Sequence, residues 1–299
     1  MNKSLKKKDA QVLFLIALPG LLHFLIFKYV PLAGNVIAFQ NYNLFQGFLN
    51  SEWVGFDHFI RMFRFEDFSR IFLNTLRLGI YSIVFGFPAP LVLALLLHEV
   101  RALWMKKPVQ TLLYLPHFLS WVIVGGIFLN FLDVKGLING LLLRIGIGPI
   151  DFIGDSAYFI GTLISIGIWK EVGWGMIIYL AALAGINPNL YEAAMVDGAG
   201  RWKRMWHISL PSLMPAIVVL LLLRIGNLMD ANIEQMLIFL NPLVRDVGEV
   251  FDTYIYRVGL LGSQFSYTTA IGIFKSVIGL LLIVFVNSLS KRTTGESIY

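Results

Sequence analysis

The sequence predicts an all-α membrane protein in which six helices cross the bilayer. Hydrophobic residues make up 57% of the 299 residues, charged residues make up only 14%, and the mean hydropathy is +0.74. A soluble domain carries about 25% charged residues, so this much apolar surface requires lipid around it. The apolar residues are also gathered into runs close to the length of about 20 residues that a membrane-spanning helix requires. These runs are Val12–Val30, Ile71–Leu97, Val109–Leu132, Tyr158–Ala184, Leu213–Met229 and Tyr267–Leu289.

The first and second runs carry additional local signals. Four lysines precede the first run, as in a signal peptide, but no small-residue cleavage site follows it. We therefore predict that the first run is an uncleaved span. The second run contains Pro88 and Pro90, and proline inside a helix removes a backbone hydrogen bond, which predicts a kink there.

The distribution of lysine and arginine predicts the orientation. With the N-terminus in the cytoplasm, the inside segments hold twelve of these residues, in the clusters Lys3–Lys8, Arg101–Lys107, Arg201–Arg204 and Lys291–Arg292. The outside loops are longer, hold seven, and also carry many acidic residues. Positive residues accumulate in short cytoplasmic loops, so both termini are expected in the cytoplasm, with an even number of spans.

Composition excludes several other classes of function. There is no cysteine, so disulfides and thiolate metal sites are impossible, and none of the five histidines has metal-ligand spacing. The net charge of +6 is confined to clusters between apolar runs, which argues against nucleic-acid binding. No G-x-x-x-x-G-K-[ST] phosphate-binding motif occurs, and Lys275 lies in an apolar span. We expect neither catalytic nor metal-binding residues in this chain.

The segment between the first two spans is long and aromatic. Trp53, Phe56, Phe59, Ile60 and Phe63 fall at roughly helical spacing. This pattern fits a helix lying at the membrane surface, and it fits equally a landing surface for an external partner.

One loop, between the fourth and fifth spans, differs from the others. Asn187 is a favourable helix cap, and Pro188 suits the first helical position. Gly198 can adopt the left-handed conformation that ends a helix, and a second short helix is expected from Ala199. Two short helices meeting at a glycine fit either a membrane-surface anchor or a docking site for a partner.

This loop resembles the EAA loop of ATP-binding-cassette importer permeases, whose pattern is EAAxxDGAxxxxxFxxIxLPxxxP. The sequence departs from the pattern at Met205, where the family usually has phenylalanine; methionine is also apolar and can fill the same groove. The resemblance covers about residues 70–290, with the loop in its expected place. The matching residues are Glu192, Ala193, Ala194, Asp197, Gly198, Ala199, Ile208, Leu210, Pro211 and Pro215.

The resemblance implies a type I importer permease fold in the plasma or inner membrane. In that family the loop is a coupling helix seated in a separate ATPase, so ATP and Mg would be bound by that partner and this chain would need no cofactor. The expected partners are an ATPase dimer, a second and different homologous permease, an external solute-binding protein and a carbohydrate, with no nucleic acid. The residues implied to contact the ATPase are Glu192, Ala193, Ala194, Asp197, Gly198, Ala199, Trp202 and Met205.

Polar residues inside the fourth and fifth spans are candidates for the substrate pathway, because ionisable groups in spans are functional hypotheses by default. The resemblance to the oligosaccharide-importing branch places cargo contacts on these two helices. Asn and Asp hydrogen-bond hydroxyls, and Trp stacks on sugar rings. Glu171 could instead pair with Arg224. The candidates are Trp121, Asn130, Trp169, Lys170, Glu171, Trp174, Asn227, Asp230, Asn232, Glu234 and Gln235.

We therefore expect an N-terminal tail, span and external loop over residues 1–70. A permease core over 71–290 would follow, with the coupling loop at 187–211 and a cytoplasmic tail at 291–299.

Two alternative functions remain open: import of a non-sugar solute (amino acid, peptide or phosphate), or transport driven by ions. The latter would predict inverted repeats and broken helices, and it would leave the loop unexplained. An intramembrane protease would need a histidine on a later span, and none follows His207.

Overall fold

The computed structural model describes residues 3–100 and 102–293 of the chain. Arg101, which counts among the predicted inside charges, lies outside the described residues, as do residues 294–299 of the predicted C-terminal tail. Within the described part, the only strands are Gln40–Asn41 and Glu52–Trp53, which pair antiparallel; the other regular elements are helical. The prediction of an all-α architecture is confirmed.

Six helices among the described residues are long and apolar enough to cross a membrane. This agrees with the predicted number, although several boundaries differ. The helices are Gln11–Phe39, Phe68–His98, Trp121–Arg144, Ser156–Ala184, Arg201–Gly226 and Phe265–Arg292.

Three of the long helices change type along their length. In the second, a π-helical turn at Ser82–Gly86 separates Phe68–Tyr81 from Pro88–His98, so the helix is irregular just before the two prolines at which a kink is predicted. π-Turns of this kind are rare and are frequent at functional sites. The first helix passes through π and 3₁₀ turns beyond Phe24, and the fifth contains a π-turn at Met205–Ser209.

The third predicted span is wrong at its N-terminal end. Leu103–Tyr114 forms a separate helix, followed by the 3₁₀ turn Leu115–Phe118. A new helix then starts at Trp121, because the Ser120 hydroxyl accepts a hydrogen bond from the Ile123 amide at 3.3 Å and caps it. The apolar run therefore contains a turn that its hydropathy did not reveal.

Short helices occupy the connections between the long ones. Besides Leu103–Tyr114 and Leu115–Phe118, the shorter helical elements outside the long helices are Gly47–Asn50, Asp57–Arg64, Pro188–Val196, Ile233–Phe239, Pro242–Val244, Arg245–Gly248, Phe251–Tyr254 and Ile255–Leu261.

The chain divides into two compact units. The first takes in the chain up to Phe65 together with Ile255–Phe274. Within it, Arg61 donates to Gln264 at 2.8 Å and lies 4.4 Å from the centre of the Tyr267 ring. The aromatic loop contains a helix at Asp57–Arg64, but Trp53 belongs to a strand, so the predicted helical spacing holds only for the later residues.

The second unit holds Glu66–Tyr254 and the chain from Lys275 onward, and it has two apolar cores. One core lies around Trp121, Phe159 and Met236, and the other lies around Met176 and Leu213. The helix Ser156–Ala184 supplies residues to both cores. It is the most buried of the long helices, because 39% of the residues in its apolar 18-residue stretch are buried inside the protein.

Close packing of that helix depends on Gly173. A Cβ atom at this position would overlap the carbonyl group of Leu113, so only glycine permits the approach of the helix Leu103–Tyr114. The contact holds the turn that follows Leu103–Tyr114, including His117, beside the polar residues of the fourth span.

Candidate functional site

A cavity of about 570 Å³ lies within the second unit, between its two apolar cores. Trp121 and Met236 belong both to its wall and to one core, and Tyr179 belongs both to its wall and to the other. The wall comes mainly from the second, fourth and fifth long helices and from the irregular segment that follows Gly226. Cavities of this size with a few convergent polar groups are typical ligand sites.

Polar and aromatic side chains meet at this cavity. Seven of the predicted pathway residues line it, together with Ser82, Thr75 and Arg224. The mixture of hydrogen-bonding groups with tryptophan suits a hydroxylated ligand that also has apolar faces. The seven predicted residues are Trp121, Glu171, Trp174, Asn227, Asp230, Asn232 and Gln235.

Four predicted residues do not line the cavity. Trp169 packs edge-to-face on Phe128, with 5.1 Å between the ring centroids, on another side of its helix. Asn130 donates to the carbonyl of Gly126 at 2.7 Å, and Glu234 is exposed in the first turn of Ile233–Phe239. Lys170 is buried beneath the wall.

Glu171 belongs to a network that the sequence did not predict. Its carboxylate lies 2.8 Å from Nδ1 of His117 and 3.3 Å from Nζ of Lys170. Lys170 also donates to the backbone carbonyl of His117 at 2.9 Å. The alternative in which Glu171 pairs with Arg224 is therefore wrong. Among the described residues, Glu171 contacts His117 and Lys170, and the long side chains of Glu171 and Lys170 both reach the turn at His117.

His117 also orients the main aromatic group of the cavity. Its ring is stacked on that of Trp174, with centroids 4.5 Å apart and an angle of 4° between the planes. Trp174 is about half exposed, so one face of its indole is held while the rest remains available in the cavity. Nothing in the sequence linked His117 to the fourth span, because the contact depends on the turn at Leu115–Phe118.

A second charged network fixes the segment after the fifth helix. Lys275 is buried, and its Nζ lies 2.5 Å from Asp252 and 3.1 Å from Asp230. Asp252 also accepts a hydrogen bond from the backbone amide of Ala231 at 2.8 Å. This network holds Asp230 at the cavity wall. Lys275 could have been suspected from the sequence, because it is an ionisable residue inside a span.

The segment after Gly226 is further held by its own polar side chains. Asn232 caps the helix Ile233–Phe239 by accepting from the Gln235 amide at 3.0 Å. The Gln235 side chain donates to the carbonyl of Leu163 at 2.8 Å. Asn232 and Gln235 therefore also have structural roles. Of the predicted amide residues that line the cavity, Asn227 is the one whose side chain makes no hydrogen bond to another described residue.

The predicted coupling loop has the expected local structure. Asn187 caps the helix Pro188–Val196 by accepting from the Asn189 amide, and Gly198 has φ +77°. Glu192, Ala193, Asp197 and Trp202 are exposed there, whereas Ala194 and Ala199 are half-buried. The second short helix differs from the prediction, because it begins at Arg201 and runs directly into the fifth span.

Met205 does not lie at the surface of this loop. It is buried in the core around Met176 and Leu213, so it stabilises the loop from beneath. The hydroxyls of Tyr191 and Ser209 lie 2.9 Å apart and tie the two halves of the loop together. Among the described residues, no group of three or more His, Cys, Asp or Glu side chains is placed to hold a metal ion.

The comparisons with known proteins all point to the same family. Residues 72–295 match the family model for the binding-protein-dependent transport system inner membrane component. The chain is 48% identical to the polygalacturonan/rhamnogalacturonan transport system permease protein YteP of Bacillus subtilis, over 99% of this chain and 92% of that protein. It is 47% identical to protein LplB of the same organism, over 96% of this chain and 91% of that protein.

A solved structure extends the similarity to three dimensions. A chain of a bacterial alginate ABC transporter, in complex with an alginate pentasaccharide-bound periplasmic protein, superimposes with a TM-score of 0.88 at 41% sequence identity. The match covers 97% of this chain and 98% of that chain. The similarity therefore includes the first long helix and its following loop, which lie outside the family model.

Proposed function

Because the chain belongs to the family of binding-protein-dependent transport system inner membrane components, a multi-pass group of the inner membrane, we propose that it imports an oligosaccharide. The single observation that carries the cargo class is the cavity of about 570 Å³ with exposed Trp174 beside Asn227 and other hydrogen-bonding groups. An indole face packs on the apolar face of a sugar ring, while amides bind its hydroxyls.

The relatives support a carbohydrate as cargo. One is named for transport of polygalacturonan and rhamnogalacturonan, another for arabinooligosaccharides, and the matched structure carries an alginate pentasaccharide on its periplasmic protein. An external binding protein would deliver the sugar to this chain in the same way. Alternating exposure of the cavity to the two sides of the membrane would then move the sugar inward.

Energy for this cycle would come from a separate ATPase. This sequence has no phosphate-binding loop, so ATP and Mg²⁺ would be held entirely by the partner. The exposed carboxylates of Glu192 and Asp197, with exposed Trp202, form the part of the loop that would contact it. Since the loop runs into the fifth long helix through Arg201–Arg204, a shift of the loop would be transmitted to the cavity wall.

A second permease chain would complete the pathway. The described long helices leave many large apolar side chains exposed, and the cavity is partly open. A related but different permease is the expected partner, with both termini of this chain in the cytoplasm.

The test is affinity purification of the tagged chain from its native membrane in a mild detergent. We expect a P-loop ATPase and a second permease to co-purify, and vesicles of the complex to import oligosaccharide when supplied with the binding protein. The Glu192→Lys variant should insert normally and lose the coupling of ATP hydrolysis to import. Purification of the chain without any ATPase would contradict the proposal.

A further inference from the structure

The cavity carries one cationic side chain, Arg224, that pairs with no carboxylate among the described residues. Among the described residues that line the cavity, Arg224 is the only lysine or arginine, and it is exposed there. Its Nη2 donates to the Ser82 hydroxyl at 2.6 Å, and no ion pair joins it to an acidic residue in the described part of the chain. Arginine has five N–H donors, so most of them remain available.

The two acidic residues of the cavity wall are already occupied by lysines. Glu171 is paired with Lys170 at 3.3 Å and hydrogen-bonded to His117. Asp230 is paired with Lys275 at 3.1 Å, and Lys275 also neutralises part of the charge on Asp252. Each lysine is buried behind the wall, so neither presents its own charge to a ligand.

We propose that Arg224 is an anion-recognition residue and that the cargo is an acidic oligosaccharide, one that carries carboxylate groups such as those of uronic acids. This deepens the proposed function and rests on it. An ionisable residue inside a span is energetically costly, so its presence there indicates a function. A guanidinium can bind a carboxylate through two parallel hydrogen bonds. Asn227, one turn further along the chain, and Trp174 would contact the neutral part of the same sugar.

The position of Arg224 also fits a purely structural role, and the test must distinguish that role from anion recognition. The residue lies in the last turn of Leu210–Gly226, where the helix dipole favours a positive charge, and it links this helix to the π-turn at Ser82–Gly86. If that link were its whole role, the Ser82→Ala variant would reproduce the effect of losing the guanidinium. Recognition of an anion instead requires a loss that depends on the charge of the ligand.

The test measures binding to the purified permease–ATPase complex without the binding protein, so that delivery does not affect the result. The ligands are a uronic-acid oligomer and the same oligomer with its carboxyl groups reduced to alcohols. Arg224→Met should weaken binding of the acidic oligomer by about 10- to 100-fold and that of the reduced oligomer by less than about twofold. Arg224→Lys should lose part of the affinity, because it keeps the charge without the planar fork.

Ser82→Ala serves as the matched control. It should leave the ratio of acidic to reduced binding near that of the wild-type complex, because the guanidinium charge remains. Equal weakening of both ligands by Arg224→Met, or no weakening, or stronger wild-type binding of the reduced oligomer, would overturn the assignment. A general folding defect would weaken the binding of both ligands equally, and that outcome therefore counts against the assignment of Arg224. Wild-type vesicles that are supplied with the binding protein and import no oligosaccharide would instead refute the proposed function itself.

Discussion

At the scale of single residues, the cavity wall is supported by charges that lie behind it. Lys275 is buried and touches the carboxylates of both Asp230 and Asp252. Through the bond from Asp252 to the Ala231 amide, this lysine fixes the irregular segment after the fifth long helix. Its role is therefore to position Asp230 and its neighbours, since it is not itself among the lining residues.

Removing that lysine should destabilise the protein. Lys275→Met leaves two carboxylates close together without their cation. A buried polar group that loses its hydrogen-bond partner costs about 1–3 kcal/mol, and a charged group costs more. We expect a lower thermal midpoint for the purified complex, measured by differential scanning fluorimetry in detergent. Adding Asp252→Asn should recover part of the loss, because the amide oxygen can still accept from Ala231. An unchanged midpoint in Lys275→Met would show that the network contributes nothing.

Two tryptophans on the fourth long helix test the assignment of the cavity. Trp174 lines it, whereas Trp169 packs on Phe128. A lost stacking contact with a sugar ring corresponds to about 0.5–1.5 kcal/mol beyond area burial, so Trp174→Ala should slow oligosaccharide uptake by about three- to tenfold. Trp169→Ala, an equal loss of volume, should have less effect. The reverse order in uptake kinetics would place the sugar on the other face of the helix.

At the scale of elements, irregular backbone borders the cavity. The π-turn at Ser82–Gly86 and the non-helical segment between Gly226 and Ile233 both border the cavity. Non-helical backbone at membrane depth is tolerated where it is buried or lines a cavity, because its polar groups then find partners there. The backbone amide of Ala231, which lies in that non-helical segment and donates to the Asp252 carboxylate, has a partner of this kind.

The predicted coupling loop contains one residue in the left-handed conformation. Gly198 has φ +77°, and an added Cβ would meet open space, so substitution is opposed by backbone conformation alone. Gly198→Ala should cost about 1–2 kcal/mol and disturb the exit from Pro188–Val196, whereas Gly198→Asn should be tolerated better. We expect Gly198→Ala to lower the amount of sugar moved per ATP hydrolysed in vesicles.

Gly200 provides a matched control for that change. It has extended backbone with φ −66° and the same open surroundings, so Gly200→Ala places a methyl group two residues away without strain. Its ratio of transport to hydrolysis should stay close to that of the wild-type complex. Equal ratios for the two alanine variants would mean that the left-handed conformation is not what transmits the motion.

At the scale of the whole molecule, hydropathy and local signals predicted the spans, the cap at Asn187 and the turn at Gly198. Spacing along one helix could not decide which polar residues share a cavity, so Trp169 and Lys170 were included with Trp174. Long-range contacts such as that between His117 and Glu171 are absent from local patterns. The burial of Met205 was likewise hidden, because it depends on a core formed by distant helices.

The predicted orientation can be tested cleanly because the natural chain contains no cysteine. Single cysteines at Leu49, Asn189 and Lys291 would each lie on exposed positions. The charge distribution and the six spans predict that Leu49 lies outside and that the other two positions lie inside. On intact cells or spheroplasts, a membrane-impermeant maleimide should therefore label Leu49→Cys at once and should label Asn189→Cys and Lys291→Cys only after permeabilisation. Labelling of Asn189→Cys from outside would show that the loop lies on the side opposite to ATP hydrolysis, and it would contradict the proposed coupling mechanism.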